Sequence, residues 1–171
     1  MDLHRKPGGR NQTWRAQAGF SLIELLIVVA IILILASIAI PNYLSARISA
    51  NEASAVQSVR TITTAETAYA ASFSTIGYSA KLSDLSEGSS APCTLTPTQA
   101  CLLDPVLASG TKSGYLFTYA QDTTDTPSPG YKLNGDPLRR GTSGGRSFYT
   151  DQPGVIRFNS SQAAGPSDPV I

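Results

Sequence analysis

The 21 residues from Phe20 to Ile40 constrain the fold more than any others, because only Ser21, Glu24 and Ser37 among them are polar. Wound as an α-helix they reach about 31 Å, the thickness of the hydrocarbon layer of a membrane. Arg5, Lys6, Arg10 and Arg15 precede the run, and no basic residue follows it until Arg47. The positive-inside rule therefore predicts one span with its N-terminus in the cytoplasm and the rest of the chain outside it. Glu24 stands directly ahead of twelve uninterrupted apolar residues, Leu25 to Ala36. An acid inside a lipid-facing segment costs up to a few kcal/mol, less near the interface, and by default marks a functional contact.

Charge elsewhere excludes some partners. The 171 residues carry 13 Lys and Arg against 12 Asp and Glu, a net of +1 that argues neither for nucleic acid nor for acidic substrates as an obvious partner. Four of the basic residues lie in the first 19 positions against Asp2 alone, so a basic head precedes the apolar run. Such a head reads as a targeting or orientation segment. Cys93 and Cys101 enclose the loop TLTPTQA. If the chain beyond the apolar run is exported, a disulfide is the expected state, and two reduced buried thiols are the alternative.

Helical character continues past Pro41. The segment from Asn42 to Phe73 is Ala-rich and free of Gly and Pro, and it places Leu44, Ile48, Val56, Val59, Ile62, Tyr69 and Phe73 mostly at three- and four-residue steps. These make one apolar stripe, with Arg47, Glu52, Arg60 and Glu66 expected largely off it. A helix from Phe20 to about Phe73 follows, roughly 80 Å long, with a bend near Ser37 to Pro41 where the ring removes a donor. Gly77 opens a Ser-, Gly-, Pro- and Thr-rich stretch with one short helix expected, at Lys81 to Leu85 or Leu102 to Ala108. Strand-like pieces come next at 115–121, after Gly130, at 146–150 and at 155–158, the last two joined by Asp151-Gln152-Pro153-Gly154. The predicted class is α+β: a long N-terminal helix whose second half packs on a small antiparallel sheet at about 115–158. The polar tail from Asn159 is expected to be loose.

Three readings of the opening segment differ in where the chain is cut. A secretory signal would use Ser37 and Ala39 and release a domain from Ile40, and a plain anchor would not be cut at all. Neither accounts for Glu24. The residues AGFSLIELLIVVAIILILASIAIP resemble the class III signal of type IV prepilins and pseudopilins. The resemblance implies a cytoplasmic leader, residues 1–19, cut between Gly19 and Phe20 by prepilin peptidase, which also methylates the new amine of Phe20. It implies that Glu24 pairs with the terminal amine of a neighbouring subunit during assembly, that Pro41 is the family's helix kink, and that the fold is pilin-like. Residues 20–40 would then be the transmembrane and filament-core helix, 41–75 its amphipathic continuation and 76–171 a globular head. The motif covers residues 15 to about 60. Many major pilins close a C-terminal loop with their disulfide, whereas Cys93 and Cys101 precede the predicted sheet, so that loop does not carry over.

Catalytic chemistry is thin. His4 is the only histidine, and it falls in the leader, which removes His-based acid–base catalysis and most zinc sites. GTKSG at 110–114 echoes a phosphate loop but lacks the Gly before Lys112, and reads as a turn. Asp122 and Asp125 are too few for a calcium shell. Arg139, Arg140 and Arg146 with Phe148 and Tyr149 form a candidate contact for an anion or for DNA, set against the favoured reading of a solvated patch.

The resulting expectation is a structural filament subunit with no cofactor and no enzymatic activity. Its implied partners are identical subunits, prepilin peptidase, the inner-membrane platform protein, an assembly ATPase and, for the precursor, the inner membrane. The final location would be a cell-surface pilus. A pseudopilin of a type II secretion system, forming a periplasmic piston, is the alternative within the family. Major pseudopilins carry a calcium site in a C-terminal loop, and the scattered acids here favour the pilus. A membrane-tethered enzyme is the alternative from another class, disfavoured because no nucleophile and base pair is apparent.

Overall fold

The computed structural model describes residues 19–88 and 92–171, so the leader expected before Gly19, with His4 and its basic residues, lies outside the described residues. Two units are separated between Ile40 and Pro41. Helix α1 covers Leu22–Ser72 with Pro41 inside it, two residues later at its start and one earlier at its end than the sequence predicts. Ser21 supplies the carbonyl that takes the first helical bonds, from the amides of Glu24 (3.1 Å) and Leu25 (3.2 Å).

In the second unit, α1 buries Val59, Ile62 and Tyr69 of the predicted stripe, together with Ala55 and Ala65, which the stripe did not include. Leu44 remains exposed and Ile48, Val56 and Phe73 are only partly covered. One acid breaks the pattern: Glu66 was expected off the stripe, yet it is fully buried, four residues after Ile62 and three before Tyr69. Its spacing placed it on the apolar face, and hydrogen bonds from Ser79 make that place tolerable.

The sheet is a five-stranded antiparallel meander in sequence order: β1 Thr111–Lys112, β2 Tyr115–Gln121, β3 Tyr131–Pro137, β4 Ser147–Asp151 and β5 Arg157–Asn159. The class is therefore α+β and pilin-like, a long N-terminal apolar helix packed with an antiparallel sheet. Alternation places Tyr115 and Phe117 of β2 and Tyr131 and Leu133 of β3 inward, while Leu116, Thr118 and Lys132 face out. Phe148 of β4 completes the layer against α1. Gly135 opposes Phe117 in the ladder, and a Cβ added to it would come within 3.1 Å of that ring and 3.8 Å of Val59. The missing side chain lets helix and sheet approach. β1 was not foreseen: Lys112 pairs with Tyr115 across Ser113 and Gly114, whose φ values of 49° and 76° fit a two-residue hairpin turn.

A second wing of the core joins the helix to the sheet. Short helices form at both positions rather than at one, a 3-10 turn at Leu82–Leu85 and α2 at Pro105–Ala108. Asp104 caps α2 by accepting from the Leu107 amide at 2.9 Å. Leu85, Leu103 and Leu107 close over this wing.

The tail is not loose. The Phe158 amide donates to Pro169 O (2.9 Å), and the Ile171 amide donates to Ile156 O (3.1 Å), so the last residues run back along β5 and cover its open edge. Asp168 accepts from the Gly165 amide (2.8 Å) and from Asn159 Nδ2 (3.0 Å), and Asn134 Nδ2 donates to Ala164 O (2.7 Å). Polarity suggested solvent; here the polar groups satisfy one another.

Candidate processing and assembly site

Gly19, Phe20 and Ser21 lie outside helical structure just ahead of α1. Phe20 is 75% exposed, and a Cβ added to Gly19 would meet nothing within 4 Å. Glu24 follows in the first helical turn, exposed, where a carboxylate complements the positive end of the helix dipole. That benefit is at most about 1 kcal/mol at an exposed position. It is too small to explain an acid amid residues that each favour lipid.

Every Phe, Leu, Ile and Val from Phe20 to Ile40 is exposed. An uninterrupted apolar surface of this extent is far beyond the patches that soluble surfaces carry. Its one other hydroxyl after Ser21, on Ser37, donates back to Ile34 O at 2.7 Å, so the face offers hydrocarbon almost throughout. The helix is long and apolar enough to cross a membrane, and Glu24 is the one charged side chain within Phe20 to Ile40.

The other candidates resolve as parts of the head. Cys93 and Cys101 are bonded, with their Cα atoms 6.2 Å apart. Tyr69 Oη of α1 donates to Pro97 O inside their loop (2.8 Å). On the far side, the amides of Leu102 and Leu103 donate to Leu85 O, both at 2.9 Å. Closing so short a loop stabilises the fold by about 2.5 kcal/mol through the entropy of the unfolded chain. Reduction of the full chain in detergent is expected to lower its unfolding free energy by roughly that amount, read by denaturant titration with and without reductant. An unchanged midpoint would show that the hydrogen bonds alone hold the loop.

The arginine cluster is committed internally. Arg140 Nη1 donates to Gly145 O (2.6 Å) and Ser160 O (3.1 Å), and its Nη2 donates to Ser147 Oγ (2.6 Å) and Gln162 O (3.1 Å). Arg146 Nε donates to Glu52 Oε2 (2.8 Å), and its guanidinium lies over the rings of Phe148 and Phe158. Glu52 also accepts from the Gly145 amide at 2.8 Å. Burial works to raise the Glu52 carboxyl, but that amide and Arg146 outweigh it and hold it below its ordinary value. Among the described residues only Arg139 of the three keeps its guanidinium out of this network, which leaves little for DNA. The role of Glu52 was missed, since nothing local in the sequence links it to a loop some ninety residues away.

Lys112 pairs with Asp104 at 3.2 Å, so the GTKSG lysine serves the hairpin and the cap of α2. Asp122 accepts from the Thr124 amide at 3.0 Å, a local turn. Among the described residues, no group of three or more His, Cys, Asp or Glu is placed to hold a metal ion.

No curated protein and no solved structure matches the chain. Residues 14–40 match the family described as the prokaryotic N-terminal methylation motif. The chain thus carries the class III signal that is the signature of type IV pilins and pseudopilins, and with its one N-terminal apolar helix it fits a membrane-anchored precursor.

Proposed function

We propose that this chain is a structural subunit of a type IV pilus-like filament. Prepilin peptidase removes residues 1–19 on the cytoplasmic face and methylates the amine of Phe20. The apolar helix 20–40 holds the subunit in the inner membrane until it is drawn into the filament, where helix contacts replace lipid contacts. Residues 41–75 continue the helix after a kink at Pro41, and residues 76–171 form the head. An inner-membrane platform and its ATPase drive the transfer. The work is assembly rather than catalysis.

One observation carries this reading: a methylation motif runs into an apolar helical stretch, residues 20–40, whose Phe, Leu, Ile and Val are all exposed and whose lone charge sits in the first turn. In lipid that acid is a cost. Beside the cationic terminus of a neighbouring subunit it becomes half of an ion pair strengthened by the low dielectric. Axial stagger between copies is then fixed by the requirement that opposite charges meet.

Mass spectrometry of the processed chain tests the first step. The expected result is a 152-residue product beginning at N-methylated Phe20, the 171 residues less the 19 of the leader. A product beginning at Ile40, or an intact chain in a cell with active prepilin peptidase, would refute it. Electron microscopy of sheared surface material separates a pilus from the periplasmic piston of a secretion system.

A further inference from the structure

Glu66 is fully buried, and both of its oxygens are held by one residue. The Ser79 amide donates to Oε2 at 3.1 Å, and Ser79 Oγ lies 2.5 Å from Oε1. The same Oγ lies 3.2 Å from Lys81 O. Ser79 has one hydroxyl proton for these two acceptors. If Glu66 is a carboxylate, that proton goes to Oε1, the Lys81 carbonyl loses its share, and a hydrogen-bonded charge without a counter-ion among the described residues sits in the core. If Glu66 carries a proton on Oε1, it donates to Ser79 Oγ, Ser79 donates to Lys81 O, and Oε2 still accepts from the Ser79 amide. Both Glu66 oxygens, Ser79 Oγ and Lys81 O are then paired and no charge is buried.

Among the described residues no cation pairs with Glu66. The ion pairs among the described residues are Lys112–Asp104 and Arg146–Glu52, and neither includes Glu66. The titratable groups that face it are Tyr69 on its own helix, Asp84 on the 3-10 turn, Tyr119 on β2 and Tyr131 on β3. Asp84 adds negative charge. Tyr119 Oη donates to Ser79 O at 2.9 Å. Burial raises the Glu66 carboxyl, the bonds from Ser79 pull it down, Asp84 raises it further, and the net direction is up.

We propose that Glu66 packs as a neutral, proton-donating carboxyl group whose ionisation releases the chain crossing at Ser79, which ties α1 to the wing of the 3-10 turn. The crossing has other ties: Gln121 Nε2 donates to Tyr78 O (2.7 Å) and the Ser128 amide donates to Ile76 O (2.8 Å). Ser79 is the hub, with its amide, hydroxyl and carbonyl all engaged by Glu66, Lys81 and Tyr119. Because the folded value lies above the unfolded one, the stabilisation is complete below the unfolded value and is lost as pH rises through the folded value.

Hydrogen exchange on the full chain in detergent, corrected for the intrinsic pH dependence of exchange, tests this. In the wild type, opening of residues 77–82 should rise by up to about tenfold per pH unit above the ordinary 4.5 until the folded group titrates. Glu66→Gln keeps the shape and the donor and should flatten that profile. Asp84→Asn should lower the midpoint but keep the transition. A transition that survives Glu66→Gln, or disappears only in Asp84→Asn, overturns the proposal. Should Glu66→Gln fail to fold, carbon NMR titration of the wild-type Glu66 carboxyl decides: a midpoint above 4.5 supports a neutral latch and one at or below it refutes it.

Discussion

Replacing Gly19 with leucine should leave most of the chain as uncut precursor while the folded head stays as it was. The two halves of that expectation have separate causes. A Cβ at Gly19 meets nothing within 4 Å in this chain, and the residue precedes α1, so the substitution has no packing partner to disturb. What it disturbs is the fit of the scissile segment in the peptidase. Forcing extra methylenes into a fitted site costs about 1–3 kcal/mol, which lowers cleavage by about ten- to a hundredfold. Gly19→Ala adds one carbon and should fall between wild type and leucine. Immunoblots of precursor and mature bands measure the ratio, and denaturant titration of the precursor in detergent checks the head. Normal processing of the leucine variant would remove Gly19 from the cleavage site.

The parts of this molecule that were legible in advance are those whose signal is local. An apolar run with a single acid specifies its helix and its motif within some twenty residues, and the match at residues 14–40 lies on that stretch. β2 runs over Tyr115–Gln121 as its alternation of aromatic and small residues predicts. Elsewhere the deciding partners are distant in sequence. β1 is two residues long, too short for any periodicity, and exists because a Ser-Gly turn folds it onto β2. The tail looked solvated by composition, yet Asn134, Arg140 and Asn159 tie it down. Glu66 reads as a solvent-facing acid, because the residue that accommodates it in the core, Ser79, lies on a different segment. The arginines suggested an anion site by their number, and Glu52 of the helix together with backbone carbonyls takes up two of the three.

Removing the charge of Glu24 should have the largest consequence, and it separates processing from assembly. Glu24→Ala lies beyond the proposed cut and leaves Gly19 and Phe20 unaltered, so the leader should still be removed. As a lone helix the variant loses only the dipole benefit, about 0.3–1 kcal/mol, and gains from placing less charge in lipid. By these terms alone the precursor is no less stable. In the proposed filament the balance would reverse, because the terminal amine of an adjacent subunit would be carried into an apolar helix bundle with no counter-ion. Breaking a buried pair by deleting one member costs about 3–5 kcal/mol, a factor of more than a hundred in the assembly equilibrium. Incorporation should therefore drop by about two orders of magnitude, measured as the ratio of variant to wild-type subunit in sheared filaments from cells expressing both. Glu24→Gln keeps the side-chain volume and most of its hydrogen bonding. It should assemble nearly as poorly as alanine if charge pairing sets the axial stagger, and nearly as well as wild type if shape does. Filaments containing either variant at its expressed proportion would mean that the acid has another purpose, and that the exposed aliphatic face alone is enough to bring subunits together.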